Sequence, residues 1–247
     1  MKRQLLLLLA AIQFLTRLPV PAAGDLPDDA LAESVRFFPI VGAIVGMGAI
    51  AIDALVAPRA GRNVSVVLIL IYLVVVTGGL HEDGLADAAD GFGGGWTKDR
   101  VLTIMRDSNI GSYGAIAIGC SLLARFVFLT SLPARTFYGV VIAGQVISRW
   151  AMLPLAYGLP PARHETGQGV RVAQKVSKMS LLVGTACMTV VAGLASGFAA
   201  ILFAVTASGV AAVTGAYYRR RIGGITGDCL GATCQVTEVA VYLAGVL

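Results

Sequence analysis

The sequence predicts an all-α protein: a polytopic transmembrane helical bundle of about seven spans, preceded by an interfacial or re-entrant N-terminal helix and folded as one domain over residues 1–247. Three observations predict it. Of 247 residues, 57% are hydrophobic and only 13% are charged, against about 25% charged in an ordinary soluble domain. Mean hydropathy is +0.80, so polar side chains are too few to cover a globule of this size and much apolar surface must face lipid. The apolar runs far exceed strand length and approach the roughly 20 residues of a helical span, which selects helices over a barrel. Disorder, collagen and a disulfide scaffold are excluded. The apolar content is too high, Gly has no three-residue period, and four Cys are too few.

At the N-terminus, Lys2 and Arg3 before Leu5 to Ile12, with Pro19 to Ala23 following, imitate a secretory signal. Gln13, Thr16 and Arg17 interrupt the run early, and Gly24 to Arg36 reads as an interfacial connector. A helix lying on or re-entering one membrane face fits better than a cleaved leader. Seven apolar runs follow, over 37–57, 63–80, 111–132, 137–158, 180–196, 198–217 and 229–247. The stretch from Ser180 to Tyr218 is too long for one span and divides into a hairpin at Gly193, Ser196 and Gly197. Gly, Ala and Ser recur through the runs, as close helix packing in lipid prefers.

The net charge of +5 comes from 19 Lys and Arg against 14 Asp and Glu. The basic residues fall between apolar runs rather than in a stripe with aromatics, which excludes nucleic acid as a partner and makes the lipid bilayer the surrounding phase. Alternating the seven spans places Lys2, Arg3, Arg17, Arg36, Lys98, Arg100, Arg106, Arg163, Arg171, Lys175, Lys178, Arg219, Arg220 and Arg221 on one side, against Arg59, Arg62 and Arg135 on the other. That asymmetry puts the large loops in the cytoplasm. Cys120 and Cys187 lie inside apolar runs, and Cys229 and Cys234 lack paired spacing, so all four read as small packing residues.

The chemistry concentrates in a loop region at 81–110. Residues 81–95, HEDGLADAADGFGGG, gather Glu82, Asp83, Asp87 and Asp90 where the rest of the chain is nearly uncharged. If the stretch is helical, Asp83, Asp87 and Asp90 stand within about 60° of one another. An oxygen-only set suits a hard cation such as Mg²⁺, while a solvated acidic helix end is the plain alternative. Gly91, Gly93, Gly94 and Gly95 follow, then Lys98, Arg100 and Arg106, so groups for metal and for phosphate lie together. In RDSNIGSYG, 106–114, Arg106 suits bidentate phosphate binding and Asp107 a metal or a hydroxyl proton; Asp107 and Ser108 as mere helix caps is the alternative.

A second acidic point, GGITGDCLGATCQVTE at 223–238, follows Arg219 to Arg221 and puts Asp228 on the same membrane side. Two remote segments meeting on one face make a site more plausible than either alone. Glu238 reads equally as a buried ligand or as a satisfied packing carboxylate. Arg125 and Arg149 should face the bundle interior, either toward an anionic substrate or paired with Asp53 or a carbonyl. His81 adjoins the acidic run as ligand, base or helix-end residue, and His164 reads as solvated beside Arg163 and Glu165.

FLTRLPVP (14–21), FFPIVGAIVG (37–46), HEDGLADAADGFGGG, RDSNIGSYG and GGITGDCLGA, in this order, resemble the cobalamin synthase (adenosylcobinamide-GDP ribazoletransferase) family. The resemblance implies a multi-pass enzyme of the cell inner membrane that uses Mg²⁺ and joins adenosylcobinamide-GDP to α-ribazole or its phosphate, with loss of GMP. It carries the acidic motif onto Asp83, Asp87 and Asp90 as metal ligands, and the later motifs onto Arg106, Asp107, Ser108, Gly111, Thr226, Gly227 and Asp228. Arg106, Ser108, Lys98 and Arg100 are then expected to hold phosphate. Asp107 or Asp228 would orient the acceptor hydroxyl or take its proton, while the other completes the metal shell. Glu82 stands where relatives often carry a hydrophobic residue, and Gln235 where an acidic one is expected. Implied partners are other cobalamin-assembly enzymes, with homo-oligomerisation left open.

Two other classes compete. A cation-coupled transporter would hold its ion mid-span and show matching interrupted halves, whereas these acids sit at loop edges. A CDP-alcohol phosphotransferase shares Asp87-Ala-Ala-Asp90-Gly91 but lacks the Ala-Arg that should follow.

Overall fold

The computed structural model describes residues 2–21, 30–162 and 176–247. Arg163, His164, Glu165, Arg171 and Lys175, read above as loop residues, lie outside them. The described chain is helical, its sole β contact an isolated bridge between Pro161 and Ile225. The elements are α1 (Lys2–Leu15), α2 (Ala30–Ser34), a 3₁₀ turn (Val35–Phe37), α3 (Phe38–Ala60), α4 (Arg62–Thr77), α5 (Leu80–Gly94), α6 (Lys98–Ile104), α7 (Ser112–Ser131), α8 (Ala134–Gly158), α9 (Lys178–Ser196), α10 (Ala199–Ile222) and α11 (Gly227–Val246).

Each of the seven apolar runs is a helix. Among the described residues, six helical stretches are long and apolar enough to cross a membrane alone, and the bent pair α4 and α5 makes a seventh when counted as one broken span. The predicted division of the 180–217 region falls at Gly197, whose φ of +59° lets α9 end and α10 begin without a clashing Cβ. At 14 residues, α1 reaches about 21 Å, short of the roughly 30 Å hydrocarbon core. It buries Leu7, Ala11 and Leu15 against the bundle, as a helix lying on one membrane face would.

Side-chain contacts fix which turns share an end. The Arg62 guanidinium lies 3.8 Å over the Phe137 ring, Gly139 abuts Ala195 and Ser196, and Gly245 abuts Val140 and Leu132. The three short turns therefore gather at one end. At the other, Arg36 Nη2 donates to Ser180 Oγ at 3.2 Å, and Pro160, Ala162 and Ile225 join the end of α8 to the approach to α11. That end carries α5, α6 and the 105–111 loop.

The densest packing surrounds α8, whose buried face runs from Phe137 to Ala156 against α3, α9 and α11. Glycine permits the closest approaches. A Cβ on Gly42 would strike the Gln145 carbonyl, and one on Gly144 the Tyr242 ring.

The loop region expected at 81–110 is largely helix. Gly78 and Gly79, at φ +64° and +71°, end α4 and turn the chain by 86° into α5. Left-handed backbone at two successive positions is open to Gly and costly to other residues. Past the corner, α5 lies across the bundle end, packed on α11 and α7.

Candidate active site

The acidic helix α5 is buried round most of its circumference, through His81, Glu82, Gly84, Ala86 and Ala88; Asp83, exposed, and Asp87, half-buried, stand one turn apart, and Asp90, near the same face a turn further on, is buried. Asp83 and Asp87 line a cavity of about 650 Å³ together with Gln13, Thr16, Arg17, Thr77 and Ser108. Its walls are thus α5, the α4–α5 corner, the end of α1 and the start of the 106–111 loop.

Asp90 departs from the trio. Gly111 N–H donates to its Oδ2 at 2.7 Å and Gly114 N–H to its Oδ1 at 2.9 Å. The buried carboxylate therefore pins the start of α7 to α5, a charge-assisted cap on two backbone donors. A Cβ on either glycine would strike that carboxylate, which gives the resemblance's Gly111 a steric reason. Among the described residues, no group of three or more His, Cys, Asp or Glu side chains is arranged to hold a metal ion. Two carboxylates in a wet cavity still match the donor set of Mg²⁺, which takes one or two protein carboxylates and completes its shell with water and phosphate oxygens.

The RDS loop flanks the same cavity. Asn109 donates to Asp107 Oδ1 through its backbone N–H at 3.0 Å and its Nδ2 at 2.7 Å. The backbone N–H, then the side-chain amide, hold the Asp107 carboxyl below the ordinary carboxylate value. Arg106 and Asp107 are exposed beside Ser108, and only Ser108 and Ile110 of this loop line the cavity.

Asp228 sits in the first turn of α11. Thr226 caps that helix by accepting from Cys229 N–H at 3.2 Å, and its hydroxyl lies 3.2 Å from Asp228 Oδ2. Gly84 and Gly231 let α5 and α11 touch backbone to backbone, with a Gly84 Cβ position only 3.1 Å from the Asp228 carbonyl oxygen. Asp228 is thereby brought beside the acidic helix, as the shared membrane side predicts.

Lys98 and Arg100, expected at phosphate, are exposed on α6 and do not line the cavity. Arg221 is also occupied: its Nη2 donates to the Gly95 carbonyl at 2.7 Å and the Phe92 carbonyl at 3.3 Å. It caps the glycine-rich end of α5 and lies over the Phe92 and Tyr217 rings. Sequence reasoning missed the cavity role of Arg17, Gln13 and Thr16. The available signals are the interruption of an apolar run by three polar residues, which argues against a leader, and the place of Thr16 and Arg17 in the FLTRLPVP motif, neither of which names a cavity.

The buried face of α5 explains Glu82. Arg125 Nη1 and Nη2 donate to Glu82 Oε1 at 3.2 and 3.1 Å, and Nη1 reaches Glu238 Oε1 at 3.5 Å. Gln235 Nε2 donates to the same Glu82 oxygen at 3.1 Å, and Gln235 Oε1 accepts from Ser121 Oγ at 3.2 Å. Glu238 is a packing partner of Arg125. Glu82 and Gln235, the two positions where the resemblance leads one to expect other residue types, are hydrogen-bonded to each other. Asp53 pairs with Arg62 at 3.1 Å, not with an intramembrane arginine, and Arg149 donates to the Gln145 carbonyl and Oε1 at 3.1 and 2.8 Å. His81 is buried away from the cavity.

A bundle of helices long and apolar enough to cross a membrane, with an acid-lined polar cavity at one end, is the architecture of a multi-pass membrane protein. The chain belongs to the cobalamin-5-phosphate synthase family, whose model matches residues 7–246, and is an enzyme of cobalamin biosynthesis. It is 36% identical over 245 residues to the adenosylcobinamide-GDP ribazoletransferase of Shewanella frigidimarina, covering 98% of this chain and 94% of that protein. The protein of the same name from Vibrio vulnificus is 34% identical over 241 residues, covering 94% and 92%. No solved structure matches this chain.

Proposed function

We propose that this enzyme transfers the adenosylcobinamide phosphoryl group from adenosylcobinamide-GDP to α-ribazole or α-ribazole phosphate, releasing GMP. It does so with Mg²⁺, at the cytoplasmic face of the inner membrane. The observation that carries the reading is the cavity in which Asp83 and Asp87 meet Arg17 and Ser108, in a chain of this family. An acceptor hydroxyl oxygen forms a bond to the cobinamide-bearing phosphorus, the bond from that phosphorus to the bridging oxygen breaks, and GMP leaves with the electron pair. The hydroxyl proton passes to a carboxylate.

Asp83 and Asp87 would hold Mg²⁺, which supplies charge neutralisation at the diphosphate and its leaving oxygen. Asp90 holds the α7 end of the cavity wall in place through Gly111 and Gly114. Ser108, at the cavity wall, would donate to a phosphate oxygen. Asp107, in the loop that flanks the cavity, and Asp228, in the first turn of α11 beside the acidic helix, would divide the task, one orienting the acceptor hydroxyl and the other taking its proton. Asparagine at the proton acceptor should abolish kcat with substrate KM retained. Asparagine at the orienting residue should raise acceptor KM as well.

Purified full-length protein in detergent, given adenosylcobinamide-GDP and α-ribazole, should release GMP and form corrinoid product only with Mg²⁺. A folded Asp87→Asn variant should not. Absence of product from folded wild type with either acceptor would overturn the reading.

A further inference from the structure

We propose that Arg17, at the end of the N-terminal helix, is the residue that grips the substrate's diphosphate inside the cavity, the task the sequence assigns to Lys98, Arg100 and Arg106. The inference rests on the function proposed above and names a binding residue for it. Among the residues lining the cavity, Arg17 is the sole basic side chain, and it shares that space with Asp83, Asp87 and Ser108.

The position of Arg17 is built. Its backbone N–H donates to the Val76 carbonyl at 2.7 Å, tying the strap after α1 to the last turn of α4. Just before it, Thr16 Oγ1 donates to the Ile12 carbonyl at 2.7 Å and accepts from Leu18 N–H at 3.3 Å, which fixes the backbone on both sides. The guanidinium lies against Gly78, where any Cβ would meet its Nε. The left-handed glycine that bends α4 into α5 therefore also makes room for this side chain.

The charge arrangement points to a bridging anion. Arg3, Arg36, Arg62 and Arg125 are closed onto carboxylates. Among the described residues, Arg17 forms no such pair, although two carboxylates line the same cavity. A cation held near acids without contacting them suits a ligand with phosphate oxygens on one side and a carboxylate-held cation on the other. The guanidinium fork matches two phosphate oxygens. A volume of about 650 Å³ lies within the usual small-ligand range, enough for a diphosphate and its nucleoside end.

The test uses full-length protein in detergent and inorganic pyrophosphate as the probe, bound without divalent cation and read by calorimetry, beside thermal unfolding of each variant. Arg17→Ala should weaken pyrophosphate binding about tenfold or more, as loss of a charge-assisted bidentate contact does. Arg17→Lys should fall between, keeping charge but losing the fork. Lys98→Ala should cost less than Arg17→Ala, and Arg59→Ala, at the opposite end, should bind as wild type does. In turnover, Arg17→Lys should raise KM for the nucleotide substrate more than it lowers kcat. Pyrophosphate binding by folded Arg17→Ala and Arg17→Lys within twofold of wild type would overturn the role of Arg17, even where wild type makes corrinoid product. Failure of wild type to make product would instead overturn the function on which the inference rests.

Discussion

Asp90 and Asp87 stand one helical turn apart with opposite tasks, and substitution should separate them. Asp90 accepts two backbone N–H groups in a buried setting, and hydrogen bonds to a charged acceptor contribute about 1.5–3 kcal/mol. Asp90→Asn keeps one acceptor oxygen but turns an amide toward a donor, so it should lower the thermal unfolding midpoint in detergent even without Mg²⁺. A folded Asp87→Asn variant, altered at the cavity wall, should lose Mg²⁺-dependent turnover. Asp107 gives a second separation. Its carboxyl is lowered first by the Asn109 backbone N–H and then by the Asn109 amide. A lowered folded value means the interaction is at full strength above the ordinary carboxylate value and is lost as pH falls through the lowered one. Asn109→Ala removes the second donor. The acid limb of kcat/KM should therefore move toward the ordinary carboxylate value in that variant, read across a pH range that extends below that value.

At the scale of elements, the crossing of α5 and α11 controls how the acids meet. Gly84 and Gly231 face each other with room for hydrogen only, so Gly84→Val should force the helices apart and move Asp83 and Asp87 away from Asp228. A displacement near 1 Å costs about a hundredfold in a positioned reaction, and the helical circular dichroism should survive. Gly119→Ala, into open space, serves as the control and should be neutral. The helices themselves were legible in the sequence, because spans announce themselves by length and apolarity. The hairpin at Gly197 was legible for the same reason, since a 39-residue run from Ser180 to Tyr218 exceeds the bilayer. The 86° corner was not read. The apolar run of 63–80 carries straight through Gly78 and Gly79, and hydropathy has no direction. Asp83 and Asp87 were found because charge is conspicuous in an apolar chain. Arg17 was not, because its role depends on which distant element it lies against, and periodicity carries no such information. For Glu82 the sequence showed a charge that needed a reason, but its partner Arg125 sits 43 residues away.

At the scale of the whole molecule, the buried Glu82, Arg125 and Glu238 cluster ties α5, α7 and α11 together beneath the cavity. Removing one member leaves buried charge unpaired, which costs about 3–5 kcal/mol, whereas replacing all of them by apolar side chains is often neutral or better. Arg125→Met alone should therefore depress the unfolding midpoint strongly, while Glu82→Leu, Arg125→Met and Glu238→Leu combined should recover most of it. Retained loss in the triple variant would show that the ions do more than pair. Orientation in the membrane is also testable. With Cys120 replaced by Ser, a Ser108→Cys thiol should react with an impermeant reagent in inverted vesicles and resist it in right-side-out ones, because the basic loops mark the cytoplasmic side.

The corner at Gly78 and Gly79 bears on a difficulty that faces any bilayer enzyme with a bulky, highly polar reactant. A bundle whose acids faced one another along vertical helices would demand that such a molecule partition into hydrocarbon. Because α5 is turned through 86° from α4, it lies across the end of the bundle, a shelf with the long helices as its footing. In the proposed reaction the reactant would dock onto that shelf from the end of the bundle, its bulk staying in water while only the reacting bond comes among the acids.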